Sequence, residues 1–262
     1  MTTPALTGTA LGGADEAPLL LLGPSLGTPT RELWAGAAAH LTGSFRVVGW
    51  DLPGHSSSAP TTETLDVPGL AAGVLALADH LAPGRPLHLA GDSLGGAVTL
   101  QLAHDRPDRV ASATVLCTGA RIGTPESWAE RAATVRASGT SAVVTSSAAR
   151  WFSPGFMERE PAVASALLTG LAHTDAESYA LACEALAAFD LVARLPEITV
   201  PVLAIAGADD VPTPVESLRT IADGVAHGRL VVLDGVGHLA PAEAPAEVAR
   251  LIHEHATAGG PR

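Results

Sequence analysis

Short, uninterrupted apolar runs alternate along the chain with longer stretches in which apolar residues recur every three or four positions. The runs at 19–22, 45–50, 87–90, 111–116, 200–206 and 229–233 predict β-strands. Their continuity predicts strands covered on both faces, since a strand with one wet face would alternate apolar and polar residues. Between them, Leu70, Val74, Leu77 and Leu81 fall at helical spacing, with Pro68 in the first turn and Asp66 placed to cap it. Val248, Leu251, Ile252 and His255 repeat the pattern behind Pro241 and Pro245. Strands alternating with helices predict an α/β fold with a mostly parallel central sheet and helices on both faces.

The strand signal stops between 121 and 190. Ala-rich helical segments take over there, punctuated by Gly123, Gly139, Pro154 and Pro161. The sheet resumes near Val200 and needs its earlier strands, so the division predicted is a core of 1–120 and 191–262 with an inserted helical cap at 121–190. Residues 257–262 predict a frayed tail.

Composition narrows the class. A hydrophobic fraction of 47% with 16% charged residues is that of a folded domain. The net charge of −12 repels phosphate backbones and anionic lipid surfaces, which argues against nucleic-acid binding. It does not exclude a small anion, because one Arg in a desolvated pocket outweighs distant, screened charge. Cys117 and Cys183 lie in apolar surroundings and read as buried free thiols. The first eleven residues lack a basic segment followed by an apolar core, and no apolar stretch is long enough to span a bilayer. A cytoplasmic protein without a membrane span is expected.

The chemistry begins at Gly91, Asp92, Ser93, Leu94 and Gly95, a G-x-S-x-G motif that follows an apolar run and opens a helical one. The strand-to-helix turn is so tight that flanking side chains would clash, hence Gly on both sides, and Ser93 is left raised above the sheet. A serine hydroxyl needs a base, and in this context the acid and base follow in the order Asp, His. Two late loops qualify, each just past a predicted strand: Asp209 and Asp210, and then Asp234 to His238. His238, presented after Gly237, is the candidate base. Asp210 is favoured as the acid that orients it, with Asp209 and Asp234 as alternatives. The loop after the first central strand, Gly23 to Gly27, is the place for a second oxyanion donor. By position the backbone N–H groups of Ser25 and Leu94 are the candidate pair. No H-E-x-x-H, paired Cys/His spacing or G-x-G-x-x-G after a strand is present, so neither a metal nor a dinucleotide cofactor is expected.

With those residues in place, the chain resembles the α/β-hydrolase superfamily, and within it the 3-oxoadipate enol-lactonases of aromatic-acid breakdown. Ser25, Leu26, Gly27 and Thr28 followed by Trp34 match the oxyanion-loop pattern. Leu116, Thr118, Ala120, Arg121, Ile122 and Gly123 with Trp128 and Arg131 match the entry into the cap. The chain departs from the common pattern in Leu52-Pro53-Gly54-His55-Ser56, where an Arg-Gly-His-Gly form is frequent, and in Asp92 before the nucleophile. The resemblance implies an α/β-hydrolase fold with a helical cap, the triad Ser93, Asp210 and His238, and a small anionic lactone as substrate. It further implies an Arg for the substrate carboxylate, for which Arg121, Arg131 and Arg150 are candidates, solvated cap arginines being the alternative. Trp34, Trp128 and Trp151 are candidates to line the pocket, with core packing as the other reading. Fold and triad do not fix the substrate. A carboxylesterase or carbon–carbon bond hydrolase is therefore the enzymatic alternative, and a ligand receptor on this fold the non-enzymatic one.

Overall fold

The computed structural model describes residues 3–258. Among them, seven strands, β1 Thr7–Gly12, β2 Leu19–Gly23, β3 Arg46–Asp51, β4 Leu87–Asp92, β5 Val110–Leu116, β6 Val202–Gly207 and β7 Gly228–Leu233, form one sheet in the order β1-β3-β2-β4-β5-β6-β7. All neighbouring pairs are parallel except β1 with β3. The six apolar runs thus become the six parallel strands. Leu20, Leu21 and Leu22 of β2 have no exposed surface, as expected where helices cover both faces.

β1 has no counterpart among the predicted strands. Its sequence TGTALG carries no apolar run, and its residues alternate between exposed and half-buried. It holds its place by antiparallel pairing with β3, an edge position that demands little burial.

Eleven α-helices accompany the sheet among the described residues. Those of the core are α1 Thr30–Leu41, α2 Val67–Leu81, α3 Leu94–Asp105, α9 Val215–Gly224, α10 Ala240–Glu243 and α11 Pro245–Thr257. α1 packs on α11, α2 on α3, and α9 on β6 and β7. Asp66 caps α2, its carboxylate accepting from the Gly69 amide at 2.6 Å, a contact of the kind whose loss costs about 1 kcal/mol. α11 runs on to Thr257, so the predicted frayed tail begins too early; residues 259–262 lie outside the described residues. Between β5 and β6 lie α4 Pro125–Ser138, α5 Val144–Trp151, α6 Phe156–Arg159, α7 Pro161–His173 and α8 Ala176–Ala188, with α4 packed along α8.

The strand order changes direction at β2 and β4. From β2 the chain steps outward to β3, then returns past β2 to β4 and continues the other way. With right-handed crossovers, such a reversal sends the helices after β2 and β4 to opposite faces and opens a crevice at the carboxyl ends of these strands. The loops that carry Ser25 and Ser93 both leave the sheet there.

Candidate active site

β4 ends at Asp92, α3 begins at Leu94, and Ser93 alone makes the turn, at φ +51°. A positive φ is costly for a non-glycine residue and persists only where the surroundings enforce it. Here the Ser93 amide donates to Leu116 O at 2.9 Å, and Thr118 Oγ1 donates to Ser93 O at 2.6 Å. The flanking glycines leave no alternative: a Cβ on Gly95 would sit 2.6 Å from the Gly23 carbonyl carbon, and one on Gly91 would overlap the Gly95 backbone. The close approach of α3 to β2 is sealed by the Gly95 amide donating to Pro24 O at 2.8 Å.

His238 lies in the loop between β7 and α10, and Asp210 in the loop between β6 and α9; both are buried. His238 Nδ1 is 3.0 Å and 3.1 Å from the two Asp210 oxygens. A carboxylate can only accept, so Nδ1 carries the proton and Nε2 is left for the cavity that His238 lines. Burial raises the Asp210 pKa, but His238 and the hydrogen bonds from Thr213 more than offset this and hold it below the usual value. Asp209 and Asp234, the alternative acids, are both exposed.

Ser93, Ser25, Leu26 and His238 face one cavity of about 120 Å³, together with Trp128, Arg131, Ser147, Arg150, Trp151 and Tyr179 from the segment between β5 and β6. Among the described residues, no hydrogen bond links the Ser93 hydroxyl to the His238 ring, and the N–H groups of Ser25, Leu26 and Leu94 donate to no protein acceptor. The amide of Leu94, first residue of α3, is free because a helix cannot satisfy its own first N–H groups.

The candidate substrate contacts separate cleanly. Arg131 reaches the cavity as an oriented fork, donating from Nε to the Tyr179 hydroxyl and from Nη2 to Ser147 Oγ, each at 2.7 Å. Arg150 lines the same cavity and forms no ion pair among the described residues; desolvation and the neighbouring Arg131 charge lower its pKa. Among the described residues, no Asp or Glu lines the cavity. Arg121 is elsewhere, solvated and 3.4 Å from Asp190. Trp128 and Trp151 line the cavity, but Trp34 does not: it is fully buried and donates its indole N–H to Gly23 O at 2.9 Å, beneath the loop that carries Ser25.

Other contributors are invisible as motifs. Thr213, which reads in sequence only as a helix start, donates its amide to Asp210 Oδ1 at 3.0 Å and its hydroxyl to Oδ2 at 2.7 Å. Glu243 accepts from the Gly237 amide at 3.2 Å and from both the amide and hydroxyl of Ser153, tying the histidine loop to the segment just after α5. The His238 amide donates to Trp151 O at 2.8 Å across the same seam. Asp92 is wholly buried with neither carboxyl oxygen bonded among the described residues. Burial, with Asp210 and Glu243 nearby, pushes its pKa well up, which favours the neutral acid. Cys117 and Cys183 are buried free thiols. No group of three or more His, Cys, Asp or Glu side chains among the described residues is placed to hold a metal ion. No helix among them is long and apolar enough to cross a membrane.

A raised serine at a strand-to-helix turn, a buried Asp–His pair and a parallel sheet in this order define an α/β-hydrolase, and the chain belongs to the alpha/beta hydrolase family, which it matches over residues 19–251. It is 35% identical to 3-oxoadipate enol-lactonase 2 of Acinetobacter baylyi, over 92% of this chain and 89% of that protein. To 3-oxoadipate enol-lactonase 1 of the same organism it is 33% identical, over 90% and 87%. The crystal structure of the enol-lactonase from Burkholderia xenovorans LB400 superposes with a TM-score of 0.91 at 34% identity, covering 96% of each chain.

Proposed function

We propose that this hydrolase opens 3-oxoadipate enol-lactone to 3-oxoadipate in the breakdown of aromatic acids, with Ser93 as nucleophile, His238 as base and Asp210 as the acid that orients it. The observation that carries the lactone assignment is that Arg131 and Arg150 face one cavity that no carboxylate among the described residues lines, in a protein of net charge −12. Two guanidinium groups facing one space repel each other until an anion enters, and a carboxylate is the planar acceptor their forks fit. The similarity to enol-lactonases supports the same reading.

In this mechanism Ser93 Oγ attacks the lactone carbonyl while His238 Nε2 takes its proton. Catalytic hydrogen bonds often tighten only when substrate is bound, and the Ser93–His238 bond forms on that approach. The N–H groups of Ser25 and Leu94 receive the oxyanion, with Leu26 offering a further donor in the same loop. Collapse of the tetrahedral intermediate breaks the ring C–O bond, and the imidazolium returns its proton to the departing enol oxygen, which tautomerises to the ketone. Water, deprotonated by His238, then releases the acyl group from Ser93. No cofactor is required. Residues 121–190 act as the cap that brings the arginines over the nucleophile, and the cytoplasm is the assigned location.

A purified-protein assay that follows lactone absorbance beside neutral aryl esters and carbon–carbon cleavage substrates tests the assignment. The lactone is expected to give the highest kcat/KM. Preference for a neutral ester or a carbon–carbon substrate would replace the assignment with a different hydrolase of the same triad, and lactone binding without product would indicate a receptor.

A further inference from the structure

Within the loop that carries Ser25, several polar groups are committed to protein partners while the Ser25 and Leu26 amides are not. Ser25 O accepts from the Thr28 amide at 3.1 Å and from Thr28 Oγ1 at 2.9 Å. The Gly27 amide donates to His55 Nε2 at 3.1 Å, while His55 Nδ1 lies 2.9 Å from Pro53 O. These two contacts admit one tautomer. A carbonyl only accepts, so Nδ1 holds the proton; an amide N–H only donates, so Nε2 must be bare. The ring is buried and stacks on Tyr179 with centroids 6.2 Å apart. Gly27 itself stands at φ +85°, and a Cβ there would fall 2.6 Å from Leu171 Cδ1 and 3.1 Å from Tyr179 Cε2. Gly95 and Trp34 hold the start of the loop through Pro24 O and Gly23 O, while Gly27, further along, is gripped from one side by packing and from the other by its hydrogen bond to His55.

We propose that His55 is a positioning residue for the oxyanion hole: its bare Nε2 ties down Gly27 and so aims the free Ser25 amide at the reacting carbonyl oxygen. The inference rests on the serine-hydrolase reading above. Burial disfavours the charged ring and lowers its pKa to about 4, so the accepting form persists at neutral pH. Misplacing a catalytic donor by about 1 Å can cost on the order of 10²-fold in rate. A residue that merely fills space would leave the transition-state interaction intact once the protein had folded.

The test compares His55→Leu with His55→Gln, whose side-chain oxygen can accept the same N–H, and with Ser93→Ala as control. The readouts are kcat and KM for enol-lactone, and the affinities of a boronic acid that mimics the tetrahedral state and of the product. His55→Leu is expected to lose roughly 10²-fold in kcat, with a matching loss of boronic-acid affinity and little change in KM or product affinity; His55→Gln is expected to recover most of it. Unchanged kcat in folded His55→Leu, or equal weakening of boronic acid and product, would overturn the proposal. Should His55→Leu not fold, nitrogen-15 NMR of the wild-type ring decides: Nδ1 protonated and Nε2 hydrogen-bonded is expected, and a proton on Nε2 overturns it. An active Ser93→Ala would sink the hydrolase reading instead, whereas an inactive one beside a fully active His55→Leu would sink this inference alone.

Discussion

Thr213 holds both oxygens of Asp210, the amide on Oδ1 at 3.0 Å and the hydroxyl on Oδ2 at 2.7 Å. The carboxylate is thereby turned to face the imidazole with both lone-pair edges satisfied. Replacing Thr213 with Val removes the hydroxyl while keeping the shape. The expected outcome is a fall in kcat of roughly tenfold with KM little changed, because the triad geometry loosens without loss of a substrate contact. Steady-state kinetics on the lactone reads this directly; a change confined to KM would contradict it.

Arg131 and Arg150 differ in how they are held, and their substitutions should differ too. Arg150, without a partner among the described residues, is expected on replacement by Gln to raise KM for the anionic lactone by roughly tenfold or more, the loss of one charged hydrogen bond, and to leave a neutral aryl ester almost untouched. Arg131→Gln should do the same and also lower stability, because the Tyr179 and Ser147 hydroxyls lose their donor. Paired kinetics on the two substrates, with melting temperatures, separates the effects. Equal losses on lactone and ester would reject carboxylate recognition at these residues.

Much of this site is legible in the order of residues along the chain. Ser93 announces itself because the turn that lifts it demands Gly91 and Gly95 in fixed positions, a local constraint that sequence records. Asp210 and His238 follow because strand ends are legible and this class of site gathers at strand ends. What sequence hides is set by contacts between distant segments. Glu243 meets Ser153, ninety positions away, and His55 meets Gly27 across two loops; no local pattern records either contact. Trp34 and Arg121 look no different in sequence from Trp128 and Arg131, yet one is sealed under the loop that carries Ser25 and the other solvated beside Asp190. β1 is missed because an edge strand paired only to β3 needs no apolar run.

Asp92 gives a pH signature. Its folded-state pKa is raised by burial and by Asp210 and Glu243, above an ordinary 3.8. The native protein therefore keeps a proton that the unfolded chain releases. This contribution to stability is complete below the unfolded pKa and is lost as pH rises through the folded one. Asp92→Asn, neutral at every pH, is expected to flatten the decline of melting temperature on the alkaline side of about pH 4. Parallel slopes for wild type and variant would mean that Asp92 is ionised in the folded protein.

Glu243 anchors the histidine loop through Gly237 and Ser153. Glu243→Ala leaves the Gly237 and Ser153 amides without their acceptor. It is expected to destabilise the protein by about 1–3 kcal/mol and to lower kcat as His238 loses its fixed approach. Denaturant unfolding and kinetics together check this. A stability loss with unimpaired kcat would confine Glu243 to holding the fold.

The kinetic expectations depend on covalent attack by one hydroxyl. The most direct test is lactone turnover by folded Ser93→Ala. A fall of roughly 10⁴-fold or more in kcat is expected, with circular dichroism and melting unchanged. Turnover near the wild-type rate in that variant would contradict the account.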